Sequence, residues 1–266
     1  MNTAYPVPES IHHFFHFGLI VTGKGEEEHL PKLFRSLAAT GIGTFKVVSR
    51  IGQRNPITSP KEIARMVGSG KIIPNKDEEE ISMPARRFLN NSAGYFVIII
   101  DDLEYDRRSI SKNVFERYRT ALNIMLTEEQ QRRASVHFLV YMLEAYYFAD
   151  ASAINAILHL NLEDYPGDVE TIRHPKNELK QRYSGFDEVE HGGQILERLN
   201  VEHILSRPDT CASLRTLFAW CVNILAQSPY CDTDSLAEKY QLTDGNMSEI
   251  TRSQRKGAKV FEFHPC

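Results

Sequence analysis

Three carboxylates in four positions, Asp101, Asp102 and Glu104, follow the apolar run Phe96 to Ile100 in the stretch GYFVIIIDDLEYDR. Acids this close repel one another unless a cation sits between them, and hard divalent ions such as Mg²⁺ or Mn²⁺ take oxygen ligands of this kind. A second acidic group, Glu26-Glu27-Glu28, follows the turn Gly23-Lys24-Gly25. If Glu26 meets the aspartates, the set suits phosphodiester hydrolysis: a bound metal lowers the pKa of water and neutralises the charge that builds on phosphate oxygens. A carboxylate beside the attacking oxygen can act as general base. Lys24 and Arg107 can contact phosphates. The plain alternative is an acidic turn after a buried strand, glutamates that suit a helix dipole, and a solvated Lys24.

These residues need elements to hold them. Phe96–Ile100 has no polar alternation, which suits a central strand of a parallel sheet covered on both faces. Ligands bind at the carboxyl ends of such strands. Phe14–Thr22 reads as a first strand. Leu30, Leu33, Phe34 and Leu37 then recur at helical spacing, and Pro31 fits only a first turn, so a helix is expected from near Glu27 to Gly41 or Gly43. Phe45–Ile51 is a second strand. Ser59-Pro60-Lys61-Glu62 carries the cap, proline and acid of a helix start, for a short helix stopping by Gly68 or Gly70. A polar loop is expected from Gly70 to Glu80, before Met83–Leu89. Val114, Tyr118, Leu122 and Met125 mark a helix to about Arg132; Val136–Tyr141 is another strand; and a helix from Leu143 carries Glu144, Asp150, Ile154 and Ile157.

This alternation implies an α/β fold with a mostly parallel sheet flanked by helices. Right-handed crossovers would bring the ends of the first strand and of the Phe96–Ile100 strand to one edge, so that Glu26 approaches Asp101, Asp102 and Glu104. Past Leu162 the pattern turns helical. Gln194–Leu205 is a short helix, and Leu214, Leu217, Phe218, Cys221, Ile224 and Leu225 share a face of a longer one. The expected organisation is an α/β domain over 1–160, a helical C-terminal region packed on it over 161–240, and a polar tail over 241–266. The tail's Arg252, Arg255, Lys256 and Lys259 read as a solvated end rather than a nucleic-acid patch.

The 266 residues, 42% of them hydrophobic, suffice for a substantial core. A net charge of −4 gives no global attraction for nucleic acid, so any such binding must come from a local face or from metal ions. Cys211, Cys221, Cys231 and Cys266 are widely spaced, which points to neither a disulfide framework nor a zinc site. With no leader-like segment and no long apolar stretch, a cytoplasmic protein without membrane contact is expected.

The strand-loop-helix LIVTGKGEEEHL and the strand VIIIDDLE resemble the TOPRIM domain of topoisomerases, bacterial primases and OLD-type nucleases. LEAYYFAD at Leu143–Asp150, His174-Pro175-Lys176 and the helix Cys211–Gln227 resemble a TOPRIM branch of bacterial anti-phage loci, the effectors of PARIS-type systems. The resemblance covers nearly the whole chain through short motifs. It implies a Mg²⁺- or Mn²⁺-dependent endonuclease on RNA, with tRNA the expected target, acting as a toxin against the host to stop a phage. It further implies restraint by a partner ABC-type ATPase, release on infection and an active homodimer. Carried over residue by residue, Glu26, Asp101 and Lys24 would be catalytic, and Glu26, Asp101, Asp102 and Glu104 would hold the metal. Arg107 and Lys176 would meet substrate. Glu144 would be a further ligand or a group behind the ligands, with a helix N-terminal acid as its plain role, and Lys176 can equally pair with a carboxylate. Thr22 stands where many TOPRIM enzymes have an acid, and the usual aspartate pair can be Asp101 with Asp102 or Asp102 with Glu104. His137 and His174 read as structural or surface histidines. The rival readings are a DNA-nicking nuclease and a non-catalytic subunit of an ATPase complex.

Overall fold

A computed structural model describes residues 14–54, 65–66 and 72–251. The apolar runs form β1 (Phe15–Val21), β2 (Gly43–Arg50), β5 (Tyr95–Leu103) and β6 (Ala134–Val140), an all-parallel sheet in the order β2-β1-β5-β6. A short antiparallel pair, β3 (Arg65–Met66) and β4 (Ile72–Ile73), stands apart. The fold is α/β, a parallel sheet flanked by helices with a helical C-terminal region.

Strand alternation divides the core. Phe15, Phe17, Leu19 and Val21 of β1 share a cluster with Phe96, Ile98 and Ile100 of β5, while Ile20, Val97, Ile99 and Leu103 belong to a second cluster on the opposite face. The first face meets α1 (Lys24–His29), the 3₁₀ turn Leu30–Phe34 and the C-terminal helices; the second meets α3 (Lys76–Leu89) and α4 (Ser111–Met125). Gly18 of β1 lets α3 close in, since a Cβ there would meet the Phe88 ring at 2.6 Å. On the first face the Phe17, Phe45 and Phe34 rings stack at 4.5 Å steps, and Phe218 of α11 (Ala212–Leu225) follows at 5.6 Å. His137 lies buried against Trp220 in this packing.

Several helix boundaries differ from the sequence expectations for local reasons. α1 starts at Lys24 rather than Glu27, because Gly23 is the extended N-cap and Glu26 and Glu27 occupy the first turn. The expected continuation to Gly41 is broken into the 3₁₀ turn, which accommodates Pro31 near its start, and α2 (Arg35–Ala38). The polar loop ends earlier than Glu80: Asn75 and Glu78 form a capping box that starts α3 at Lys76. Thr127 with Gln130 caps α5 (Glu128–Arg132), dividing the helix expected to run to Arg132. The helix expected from Leu143 is two, α6 (Leu143–Tyr147) and α7 (Ala151–Leu158). After α8 (Pro175–Arg182), Asn200 caps a new start and splits Gln194–Leu205 between α9 (Glu190–Arg198) and α10 (Val201–Leu205). α12 (Thr233–Lys239) completes the helices described.

The expected helix at Ser59-Pro60-Lys61-Glu62, the basic group Arg252, Arg255, Lys256 and Lys259, and Cys266 lie outside the described residues. Residues 241–251 are mostly exposed or half-exposed and are anchored at points to the helical region. Asn246 donates to the Pro208 carbonyl and Thr251 is buried. Among the described residues no helix is long and apolar enough to cross a membrane.

Candidate functional site

Register brings the two acidic segments together. Val21 pairs with Ile100, so the loop that leaves β1 at Thr22 begins beside Asp101 at the tip of β5. The chain passes from β1 outward to β2 and returns on the other side of β1 as β5. Adjacent strand ends therefore splay in opposite directions, and the crevice between them is where open α/β sheets take ligands. A cavity of about 490 Å³ opens there, with Lys24, Glu26, Asp102, Glu104, Glu144 and Lys176 in its lining.

Asp101 and Asp102 part company at this edge because consecutive strand residues face opposite sides. Asp101 is fully buried and points away from the cavity. It accepts from both Arg107 terminal nitrogens at 3.0 and 2.7 Å, from the Tyr118 hydroxyl at 2.9 Å and from Thr22 Oγ1 at 3.2 Å. Arg107 is buried too and also donates to the carbonyls of Asp102 and Arg54. The pair is a clamp beneath the strand tip. The expected roles of Asp101 as ligand and Arg107 as phosphate contact are corrected by this geometry: neither side chain lines the cavity. Thr22 also accepts from the Asp102 amide, which stitches the two strand ends.

Asp102 faces the cavity with Glu26 and Glu144. Glu26 comes from the first turn of α1, its carboxylate folded back over Gly23, and Glu144 comes from the first turn of α6. Tyr141 and Met142 deliver α6, both at positive φ (57° and 77°), a strained corner at the end of β6. The Oε2 of Glu26, the Oδ1 of Asp102 and the Oε2 of Glu144 are buried and accept no hydrogen bond from an N–H or hydroxyl among the described residues, and the Glu26 and Asp102 carboxyls stand close enough to share a proton. Burial first, then the like charges of Glu26 and Glu144, push the Asp102 carboxyl well above the usual range. Burial raises Glu144 to about 7 against the pull of Lys176. Lys176 is the cation at hand, 3.7 Å from Glu144 and 2.9 Å from Glu188, and these carboxylates outweigh burial and hold its pKa above the ordinary value.

Glu104 lines the mouth from an exposed position, and Lys24, 68% exposed, pairs with Glu28 at 3.8 Å. Glu26, Asp102, Glu104, Glu144, Lys24 and Lys176 therefore come together, while Asp101 and Arg107 do not. Of three further lining residues, Gln53 and Glu188 carry no sequence signal and Tyr147 falls within LEAYYFAD with no role expected of it. Gln53 donates to the Asp102 carbonyl, Tyr147 donates to the Gly192 carbonyl, and Glu188 reaches Lys176 from the segment before α9. The far wall is close because Gly193 has no side chain: a Cβ there would meet the His29 ring at 2.5 Å. A second acidic group, Asp150, Asp164 and His203, lies elsewhere with its oxygens engaged by Ser152, Ala151, Asn200 and His203. Asp150 thus serves the join between α7 and α10.

Residues 21–220 match a family described as DUF4276, a domain of unknown function. No curated protein and no solved structure matches the chain.

Proposed function

Because the chain belongs to the DUF4276 family, whose description assigns no activity, we propose from the site itself that it is a divalent-cation-dependent phosphodiester hydrolase acting on RNA. The observation that carries this reading is the convergence of three buried carboxylates, each with an oxygen that receives no N–H or hydroxyl among the described residues, on one cavity. Three buried like charges repel one another. The group must take up a proton or a cation, and the all-oxygen donor set fits Mg²⁺ or Mn²⁺. Glu26, Asp102 and Glu144 would hold the ion, with Glu104 at the mouth. When bound, the ion supplies charge neutralisation at a phosphate and an acidified water.

The chain's own residues account for the rest. Lys176 sits at the cavity wall on an ammonium held charged by Glu144 and Glu188, and it can receive a phosphate oxygen. Lys24 lies across the glycine loop, where it can follow a flanking phosphate. Asp101 and Arg107 position the strand tip and touch no substrate. The TOPRIM resemblance supports RNA, tRNA in particular, a role as the toxic effector of anti-phage defence, and a partner ABC-type ATPase that restrains the enzyme as a complex until it is released to work as a homodimer in the cytoplasm.

The test is Mg²⁺-dependent cleavage of total tRNA by the purified chain, with supercoiled plasmid as the parallel substrate. Glu26→Ala should abolish cleavage and calorimetric uptake of Mg²⁺ or Mn²⁺ while the melting temperature holds, because the buried Glu26 carboxylate makes no ion pair among the described residues and opposes the Asp102 charge in the metal-free protein. Cleavage unchanged in Glu26→Ala protein would overturn the reading, and nicking of plasmid with tRNA intact would move it to DNA.

A further inference from the structure

Beside the cavity mouth lies a group of side chains that the hydrolase reading does not use. Tyr105 follows Glu104 directly and keeps 41% of its surface exposed. The Arg173 guanidinium lies 4.8 Å over its ring, His174 meets it edge-on at 5.8 Å and Tyr141 stands 5.7 Å away. Arg108 lies over the Tyr141 ring at 5.0 Å and donates to the Tyr141 hydroxyl at 2.7 Å, which fixes that ring from behind. Tyr105 and Arg173 thus form a short stack whose members come from two segments distant in sequence. Glu104 lines the cavity one residue before Tyr105, and Lys176 lines it three residues after Arg173.

From this juxtaposition we infer that Tyr105 and Arg173 form a stacking platform for a base of single-stranded RNA, next to the nucleotide whose phosphate enters the cavity. The inference deepens the hydrolase reading and rests on it for the nature of the ligand. A planar ring and a planar guanidinium offer the two surfaces on which unpaired bases stack, and stacking accepts any base because each has a π-face. The charges exclude a simpler phosphate patch. Glu104 and Asp106 are exposed on either side of Tyr105, so Arg173 and Arg108 leave little net positive charge, and simple counterion release contributes little here. Paired RNA hides its bases, so the platform selects strands that are single or splayed. The Arg173 guanidinium already on the ring is pre-ordered, which reduces the entropy lost when a base extends the stack.

The experiment is fluorescence anisotropy in EDTA with a labelled oligoadenylate of about ten nucleotides and an abasic strand of the same length. The wild-type chain should prefer the base-bearing strand. Tyr105→Ala should weaken that binding by roughly five- to 150-fold and leave the abasic strand untouched, while Tyr105→Phe keeps the ring and the affinity. Tyr105 is partly exposed, and a thermal melt checks that the variant is folded. Equal affinity of the wild type for both strands, an unchanged Tyr105→Ala, or an equal loss on both strands would each overturn the proposal. Because no metal is present, the result is independent of catalysis: base-dependent binding in a chain that never cleaves RNA would defeat the hydrolase reading and leave the platform standing.

Discussion

The Glu26 carboxylate lies so closely over Gly23 that a Cβ on residue 23 would overlap its Oε2. Gly23 is the extended N-cap of α1, in a conformation open to any residue, so the glycine is needed for space rather than for backbone freedom. Gly23→Ala should therefore fold, yet displace Glu26 from Asp102. Calorimetry should show Mg²⁺ uptake weakened at least tenfold, about 1.4 kcal/mol, with a melting temperature close to that of the wild type. Undiminished uptake would mean that Glu26 is no ligand.

Glu170 provides a pH effect outside the cavity. Its carboxylate accepts from the Tyr146 hydroxyl and from the Ser213 and Leu214 amides at the start of α11, and burial, with Asp168 nearby, raises it to about 7. The folded state thus holds a proton that the unfolded chain gives up near the ordinary glutamate value. This contribution to stability is complete below that value and is lost as pH rises to 7. Melting temperature followed across pH 4.5 to 7.5 should fall, and Glu170→Gln should flatten part of that slope.

Much of this site was legible from residue types, and its limits are physical. The unbroken run before Asp101 marked the strand, and the glycine turn marked the loop that meets it, because both signals are local. Which aspartate faces the cavity was not legible. Strand alternation makes Asp101 and Asp102 opposite in either case, and only the tertiary position of Arg107 and Tyr118 decides which is buried against a partner. Asn75-x-x-Glu78 and Thr127-x-x-Gln130 close capping boxes that start α3 and α5 inside polar stretches, where composition alone reads as loop or as the continuation of a helix. Glu188 and Tyr147 depend on how the C-terminal helices fold back over the sheet edge, which no local pattern encodes.

Arg215 holds those helices together. It is fully buried and donates to the carbonyls of Leu205, Arg207, Pro208, Thr210, Tyr240 and Asn246, while Gly245 leaves room for its stem. Arg215→Met should strand several buried carbonyls, each worth on the order of 1–3 kcal/mol and not additive. The expected result is loss of amide-exchange protection from Leu205 to Thr216 ahead of the sheet. Equal loss everywhere would mean that the C-terminal helices and the sheet unfold as one unit.

Asp101 and Asp102 should separate stability from chemistry. Removing Asp101 leaves the Arg107 guanidinium buried without its carboxylate, and breaking a buried pair from one side costs about 3–5 kcal/mol. Asp101→Ala should therefore lower the urea midpoint sharply. Asp102 presents the opposite case: its charge is opposed by burial and by Glu26 and Glu144, so replacing it by a neutral amide relieves repulsion in the metal-free protein. Asp102→Asn should hold or raise the midpoint while Mg²⁺ uptake disappears. The two variants differ by one position and should exchange signs in the stability measurement. If both destabilised equally, Asp102 would be a structural acid like its neighbour, and the cation-holding group would lose its centre.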